Sequence, residues 1–275
     1  MMSYLNGIFG VSGKVALVTG GATGIGRMIA EALVCGGAHV LIASRKGQAC
    51  EVVAAELNAL DASGSAEGFA GDVGSEAAIE ALTAAVKSRT DKLHILVNNA
   101  GITWGEPYNS FPHKAWEKVM NVNVAGMFTL TRNLTGLLKA AASDADPSRI
   151  INIGSVMGTV PLAEGAYSYS VSKAAVHHLT KILAGELASH NITVNAFAPG
   201  PFPSKMTAFA IGSEEGQTKV GANVPIGRVG SPEDIAGATL FLCGRGGAYT
   251  SGAIIPLDGG MNVQGPSNLF ANALT

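Results

Sequence analysis

Two side chains able to move a proton stand four residues apart in this sequence. Tyr169, a phenol, and Lys173, an ammonium, lie on a segment of helical period and so share one face. Far upstream, Thr19-Gly20-Gly21-Ala22-Thr23-Gly24-Ile25-Gly26 joins a β-rich apolar run to a helical segment. Glycines at such a joint allow a tight turn and let a phosphate approach the N–H groups at a helix start, where the dipole favours negative charge. After the second apolar run, a dinucleotide-binding fold selective for NAD would carry an acid for the ribose 2′-hydroxyl. Ser44-Arg45-Lys46 stands there instead. One hydroxyl and two cations suit a 2′-phosphate, so the expected cofactor is NADP(H).

These residues need a scaffold, and the pattern supplies one. Apolar runs at 15–19, 39–44, 66–69, 95–98, 149–153, 193–198 and 253–257 read as strands, mostly continuous rather than alternating, as in a sheet covered on both faces. Helical segments at 24–35, 47–60, 75–89, 113–141, 167–189 and 231–242 lie between them. Ser75 and Ser231, each followed by acids, fit N-caps. Repeated strand–helix alternation implies an α/β fold with a parallel sheet and right-handed crossovers. No linker or repeat divides residues 1–275, so one domain is expected, with 201–230 as a lid and 265–275 as a tail.

Composition narrows the classes. Of 275 residues 36 are glycine, about twice the usual share, and only 14% are charged, against roughly 25%. With 47% hydrophobic residues and a net charge of −2, the chain excludes disorder and lacks the basic field that nucleic acid requires. No positive leader and no apolar run of about 18 residues is present, so a cytoplasmic location without a membrane partner is expected. Cys35, Cys50 and Cys243 form no pair or metal motif, and the adjacent His177 and His178 form no ligand set, so no metal is expected.

Taken in order, Thr19-Gly20 with Gly24-Ile25-Gly26, Asp72-Val73, Asn98-Asn99-Ala100-Gly101, Asn123, Ser155, Tyr169 with Lys173, Pro199-Gly200 and Asp258-Gly259-Gly260 resemble the short-chain dehydrogenase/reductase family over nearly the whole chain. The resemblance implies a Rossmann-like doubly wound sheet of seven mainly parallel strands. It implies that Tyr169 protonates a carbonyl oxygen and that Lys173 lowers its pKa and holds the nicotinamide ribose. Ser155 would orient the substrate oxygen, and Asn123 would fix a water beside Lys173. Gly20, Thr23, Gly24, Ile25, Gly26, Ser44, Arg45, Lys46, Asp72, Val73, Asn99, Ala100, Gly101, Pro199, Gly200, Phe202 and Ser204 would hold the cofactor.

The sequence departs from the family at several points. Thr23 stands where a basic residue is common in NADP-dependent members, leaving Arg45 to carry the phosphate. Ser155 and Tyr169 are one residue further apart than is common, and Ser204 replaces the usual threonine. Candidate pocket residues are Trp104, Val156, Met157, Leu162, Met206 and Phe209, apolar side chains after strand ends or in the lid. The pattern is most similar to 3-oxoacyl reductases, which implies a 3-oxoacyl thioester or similar hydrophobic ketone as substrate. His190 replaces an arginine that reductases serving acyl carrier protein usually present. That keeps open a carbonyl or polyol dehydrogenase acting on a sugar acid or steroid; a non-catalytic NADP-binding regulator is a third reading. The family's usual assembly implies a homodimer or homotetramer.

Overall fold

The computed structural model describes residues 2–162 and 165–263; the expected tail lies outside them. Seven strands form one sheet in the order β3-β2-β1-β4-β5-β6-β7. They are β1 Val15–Thr19, β2 His39–Ser44, β3 Ser65–Ala70, β4 Ile95–Asn98, β5 Ser148–Ile153, β6 Ile192–Pro199 and β7 Ile254–Leu257. All six pairings are parallel. The strand order reverses between β1 and β4, and a crevice opens there at the carboxyl ends of the strands.

Continuous apolar strands serve two cores because successive side chains point to opposite faces. On β1, Ala16 and Val18 enter one core and Leu17 the other. On β4, Ile95 and Val97 part in the same way from Leu96. The first core packs against α2 Gly24–Cys35, α3 Gly47–Asn58 and α10 Pro232–Cys243. The second packs against α4 Glu76–Lys87, α6 Met127–Ala141 and α7 Tyr167–Leu187. Ser75 caps α4 by accepting from Ala78 N–H, with Glu76 in its first turn and Lys87 in its last.

The structure corrects the sequence reading in three places. A helix α1, Met2–Phe9, precedes the sheet. The expected lid contains two short helices, α8 Ala208–Ile211 and α9 Glu214–Gly221. The expected helix 113–141 is not one regular α-helix. It runs as α5 His113–Met120, a π-helical turn Asn121–Gly126, and then α6. The wider turn falls where side chains are pinned by main chain outside the helix: Asn121 donates to Gly74 O at 2.6 Å, and Asn123 is clamped to Ile102. Such turns concentrate at functional sites. Among the described residues no helix is long and apolar enough to cross a membrane.

Candidate active site

The glycine turn is tied to its neighbouring strands before it reaches the crevice. Gly20 N–H donates to Ala43 O at 2.7 Å, and Asn99 Nδ2 donates to the carbonyls of Thr19 and Gly20 at 2.9 and 3.1 Å. Thr19 Oγ1 accepts from the amides of Asn99 and Ala100, both at 3.1 Å. Helix α2 then starts at Gly24, which takes a left-handed φ of +54°; a Cβ there would stand 2.8 Å from Ser204 Cβ. Thr23 makes no side-chain hydrogen bond to the helix, so the first amides of α2 lack a side-chain cap. Free amides and a turn closed to larger residues fit a phosphate linkage of the expected dinucleotide.

Two adjoining cavities extend from this turn. The larger, about 410 Å³, is bounded by Gly20, Thr23, Gly24, Ile25 and Arg45 at one end and by Ser155, Tyr169 and Lys173 at the other. Asn99, Ala100, Gly101, Pro199, Gly200, Phe202 and Ser204 form its walls. The smaller, about 180 Å³, is lined by Ser44, Arg45, Val73, Ala100 and Gly101 among others. Arg45 is exposed and borders both, whereas Lys46 points its backbone into the start of α3 and borders neither. Ser44 Oγ accepts from Lys46 N–H at 3.2 Å. Asp72 and Gly26 also stand outside the cavity walls: Asp72 accepts from Gly74 N–H at 3.0 Å, and Gly26 is buried beneath the turn.

At the opposite end, Lys173 is buried and donates to Ile153 O at 2.7 Å. Burial pulls its pKa down to about 8, so near neutral pH it still carries its charge. Its Nζ lies 5.4 Å from the centre of the Tyr169 ring. Burial pushes the Tyr169 phenol upward, while the adjacent Ser155 hydroxyl pulls it back. Ser155 Oγ accepts from Met157 N–H at 3.2 Å, which leaves its own proton to donate into the cavity. Gly101 keeps the space beside Lys173 open, since a Cβ there would lie 3.6 Å from Nζ.

Asn123 reaches this cluster from the π-helical turn. Its Oδ1 accepts from Ile102 N–H at 2.9 Å, and its Nδ2 donates to Ile102 O and Ser172 Oγ, both at 2.9 Å. The side chain thus locks the loop after β4 to α7. Asn98, the preceding strand residue, braces the sheet through Thr131 and Asn152.

The six pocket candidates do not gather at one place. Met206 lines the main cavity. Val156 is buried, and Trp104 and Met157 are half-buried outside that cavity's wall. Leu162 joins a separate aromatic groove with Tyr108, Phe111, Trp116 and Tyr167. Phe209 is 92% exposed and borders neither these two cavities nor the aromatic groove, because the chain is helical there and α8 turns that side chain outward. Phe202 is 3% exposed and packs with the first core as well as the cavity. The sequence reading missed Ile153, Gly154, Lys205 and Thr207, which also border the main cavity. Thr207 Oγ1 accepts from Ser204 N–H at 3.0 Å and donates to Phe202 O at 2.8 Å; the Ser-x-x-Thr spacing was the available signal.

A sequence model described as short chain dehydrogenase matches residues 14–214. The chain is 43% identical over 255 residues, 93% of its length and 98% of the relative's, to the rhamnolipids biosynthesis 3-oxoacyl-[acyl-carrier-protein] reductase of Pseudomonas aeruginosa. It is 40% identical over 252 residues, 91% and 98% of the two chains, to the 3-oxoacyl-[acyl-carrier-protein] reductase FabG of Aquifex aeolicus. The active-site complex of Pseudomonas aeruginosa RhlG with NADP matches with a TM-score of 0.88 at 43% identity, covering 93% of this chain and 99% of that one.

Proposed function

Because the chain belongs to the short-chain dehydrogenase/reductase family of oxidoreductases, we propose that it reduces a ketone to a secondary alcohol with NADPH, its preferred substrate being a 3-oxoacyl thioester. One observation carries the reading: Ser155, Tyr169 and Lys173 meet at one end of a cavity whose other end is the uncapped start of α2 beside Arg45. When bound, NADPH supplies the hydride that adds to the carbonyl carbon. Ser155 donates its hydroxyl proton in a hydrogen bond to the carbonyl oxygen and fixes the reacting face. Tyr169 gives its Oη proton to that oxygen as charge develops there. Lys173, a cation held by Ile153 O, stabilises the phenolate left behind, which regains a proton from solvent. Asn123 holds the loop that keeps Lys173 and its surroundings in register.

The 3-oxoacyl assignment draws on the names of the relatives and on Met206 in the cavity wall. We further propose a homo-oligomer, dimer or tetramer, since Phe128 on α6 and Val171 and Ile182 on α7 expose apolar surface. The test is NADPH oxidation with a panel holding a 3-oxoacyl thioester, a free diketone and a keto sugar acid, run on wild type and Tyr169→Phe. The thioester should turn over fastest, and Tyr169→Phe should bind NADPH yet lose at least about 100-fold in kcat. Binding without turnover of any ketone would identify a regulator instead. Preference for the sugar acid would move the substrate to the polyol class.

A further inference from the structure

His177 lies two turns of α7 beyond Tyr169 and one beyond Lys173, on the same face of the helix. It is buried, whereas its neighbour His178 is exposed. Its ring sits behind the turn that carries Ser155, not in the cavity. Nε2 is 3.5 Å from the backbone N–H of Ser155, and Nδ1 is 3.5 Å from Thr159 Oγ1. The ring therefore touches both ends of the 3₁₀ turn Val156–Gly158. Two glycines make way for it: a Cβ at Gly154 would overlap the imidazole, and one at Gly158 would stand 2.8 Å from Cε1. Both polar contacts are long, so their effect is on orientation more than on stability.

We propose that His177 is a positioning residue for Ser155: as a neutral imidazole it accepts from the Ser155 amide and donates to Thr159, setting the turn so that the Ser155 hydroxyl faces Tyr169. The proposal rests on the reading that Ser155 and Tyr169 carry the chemistry. Only one protonation state serves. With Nε2 accepting, the ring proton is on Nδ1 and can donate to the Thr159 hydroxyl. A second proton would set Nε2–H against the Ser155 N–H, donor against donor. The surroundings keep that proton off: burial, then the charges of Lys173 and Lys181 on the same helix, hold the His177 pKa down at about 4. The ends of β5 and β6 and the turn 155–159 bring no charged side chain to oppose this. The consequence reaches Tyr169 because the Ser155 hydroxyl is what offsets the burial of its phenol. A turn that swings Ser155 away leaves the phenol harder to ionise.

The test compares His177→Leu, which keeps volume but has no acceptor, with His177→Gln, whose amide oxygen reaches the place of Nε2. Tyr169 ionisation is read by ultraviolet difference titration, each protein against its own Tyr169→Phe partner; kcat and KM are measured in NADPH-dependent ketone reduction. In His177→Leu the Tyr169 midpoint should rise by about half a pH unit or more, and kcat should fall about tenfold with KM for NADPH within about twofold. His177→Gln should restore both. An unshifted midpoint with kcat intact in a folded His177→Leu overturns the proposal, as does failure of Gln to rescue. Should His177→Leu not fold, Thr159→Val, which removes the partner of Nδ1, must move the midpoint in the same direction; no movement overturns it. The titration needs no substrate, so a wild type inactive on every ketone would sink the functional reading while the role of His177 is still decided.

Discussion

At the scale of single residues, the proposed site sets one buried cation, Lys173, against one half-buried phenol, Tyr169. Among the described residues Lys173 has no carboxylate partner, and desolvation depresses it, to about 8. The proposed reduction needs the Tyr169 phenol protonated and Lys173 charged. Both conditions hold at neutral pH, and the second fails as pH rises through about 8. The kcat for reduction should accordingly be flat between about pH 6 and 7.5 and decline above about 8, as checked by steady-state rates at saturating ketone. A rate still climbing at about pH 9 would remove Tyr169 as the acid. Arg45, exposed at the junction of the two cavities, is the cation best placed for a 2′-phosphate. Replacing it with alanine should weaken NADPH binding by about 10- to 100-fold and leave NADH within about threefold, measured by fluorescence titration. Equal affinity for the two cofactors in the wild type would sink that assignment. Ser155, Tyr169 and Lys173 were legible as candidates through the ordered resemblance to the family, and Arg45 through its place just after the second apolar run. His177 was legible only as a histidine without a metal partner; its contacts with Ser155 and Thr159 exist only once α7 packs behind β5.

Among elements, the ends of helices and strands do the positioning. The C-terminus of α10 is clamped by two buried cations from the opposite end of the sheet to the cavity. Arg149, 1% exposed at the start of β5, donates to Leu242 O at 2.9 Å and to Gly244 O and Asp146 at 3.0 Å. Lys14 donates to Cys243 O at 3.1 Å and pairs with the same Asp146 at 2.7 Å. Cations at a helix C-terminus complement its dipole, and Asp146 offsets the desolvation that pulls both pKa values down. Arg149→Ala would leave the carbonyls of Leu242 and Gly244 without this buried donor and Asp146 with Lys14 alone, and should cost about 3–5 kcal/mol in urea unfolding, with the site chemistry unchanged in the protein that remains folded. A loss below about 1 kcal/mol would show the clamp to be incidental. The sequence reading placed the strands within a residue or two because β-rich apolar runs are local signals. It took α5, the π-helical turn and α6 for one helix because the turn depends on Gly74 O and Ile102, groups distant in sequence from Asn121 and Asn123.

Across the whole molecule, topology decides what the local signals could only allow. Crossing from β1 to β4 places Gly20 beside Asn99, while β5 and α7 bring Ser155, Tyr169 and Lys173 to the same crevice. The low charge fraction fits a sheet covered on both faces, and the apolar surface of α6 and α7 adds a reason in the proposed oligomer. Sedimentation should give a dimer or larger assembly at micromolar concentration, and Ile182→Glu should shift it toward monomer; a stable wild-type monomer would withdraw the proposal. By itself the sequence determined the parallel α/β plan and, through its ordered resemblance to the family, named the candidate phosphate turn and candidate catalytic side chains, since period and motif order are local to one or two elements. Only the tertiary structure decided which candidates share a cavity. It set Met206 in the wall, turned Phe209 to solvent, sent Leu162 to another groove and put His177 behind Ser155. A side chain's direction in a loop or on a packed helix is fixed by partners remote in the chain, and no local pattern encodes them.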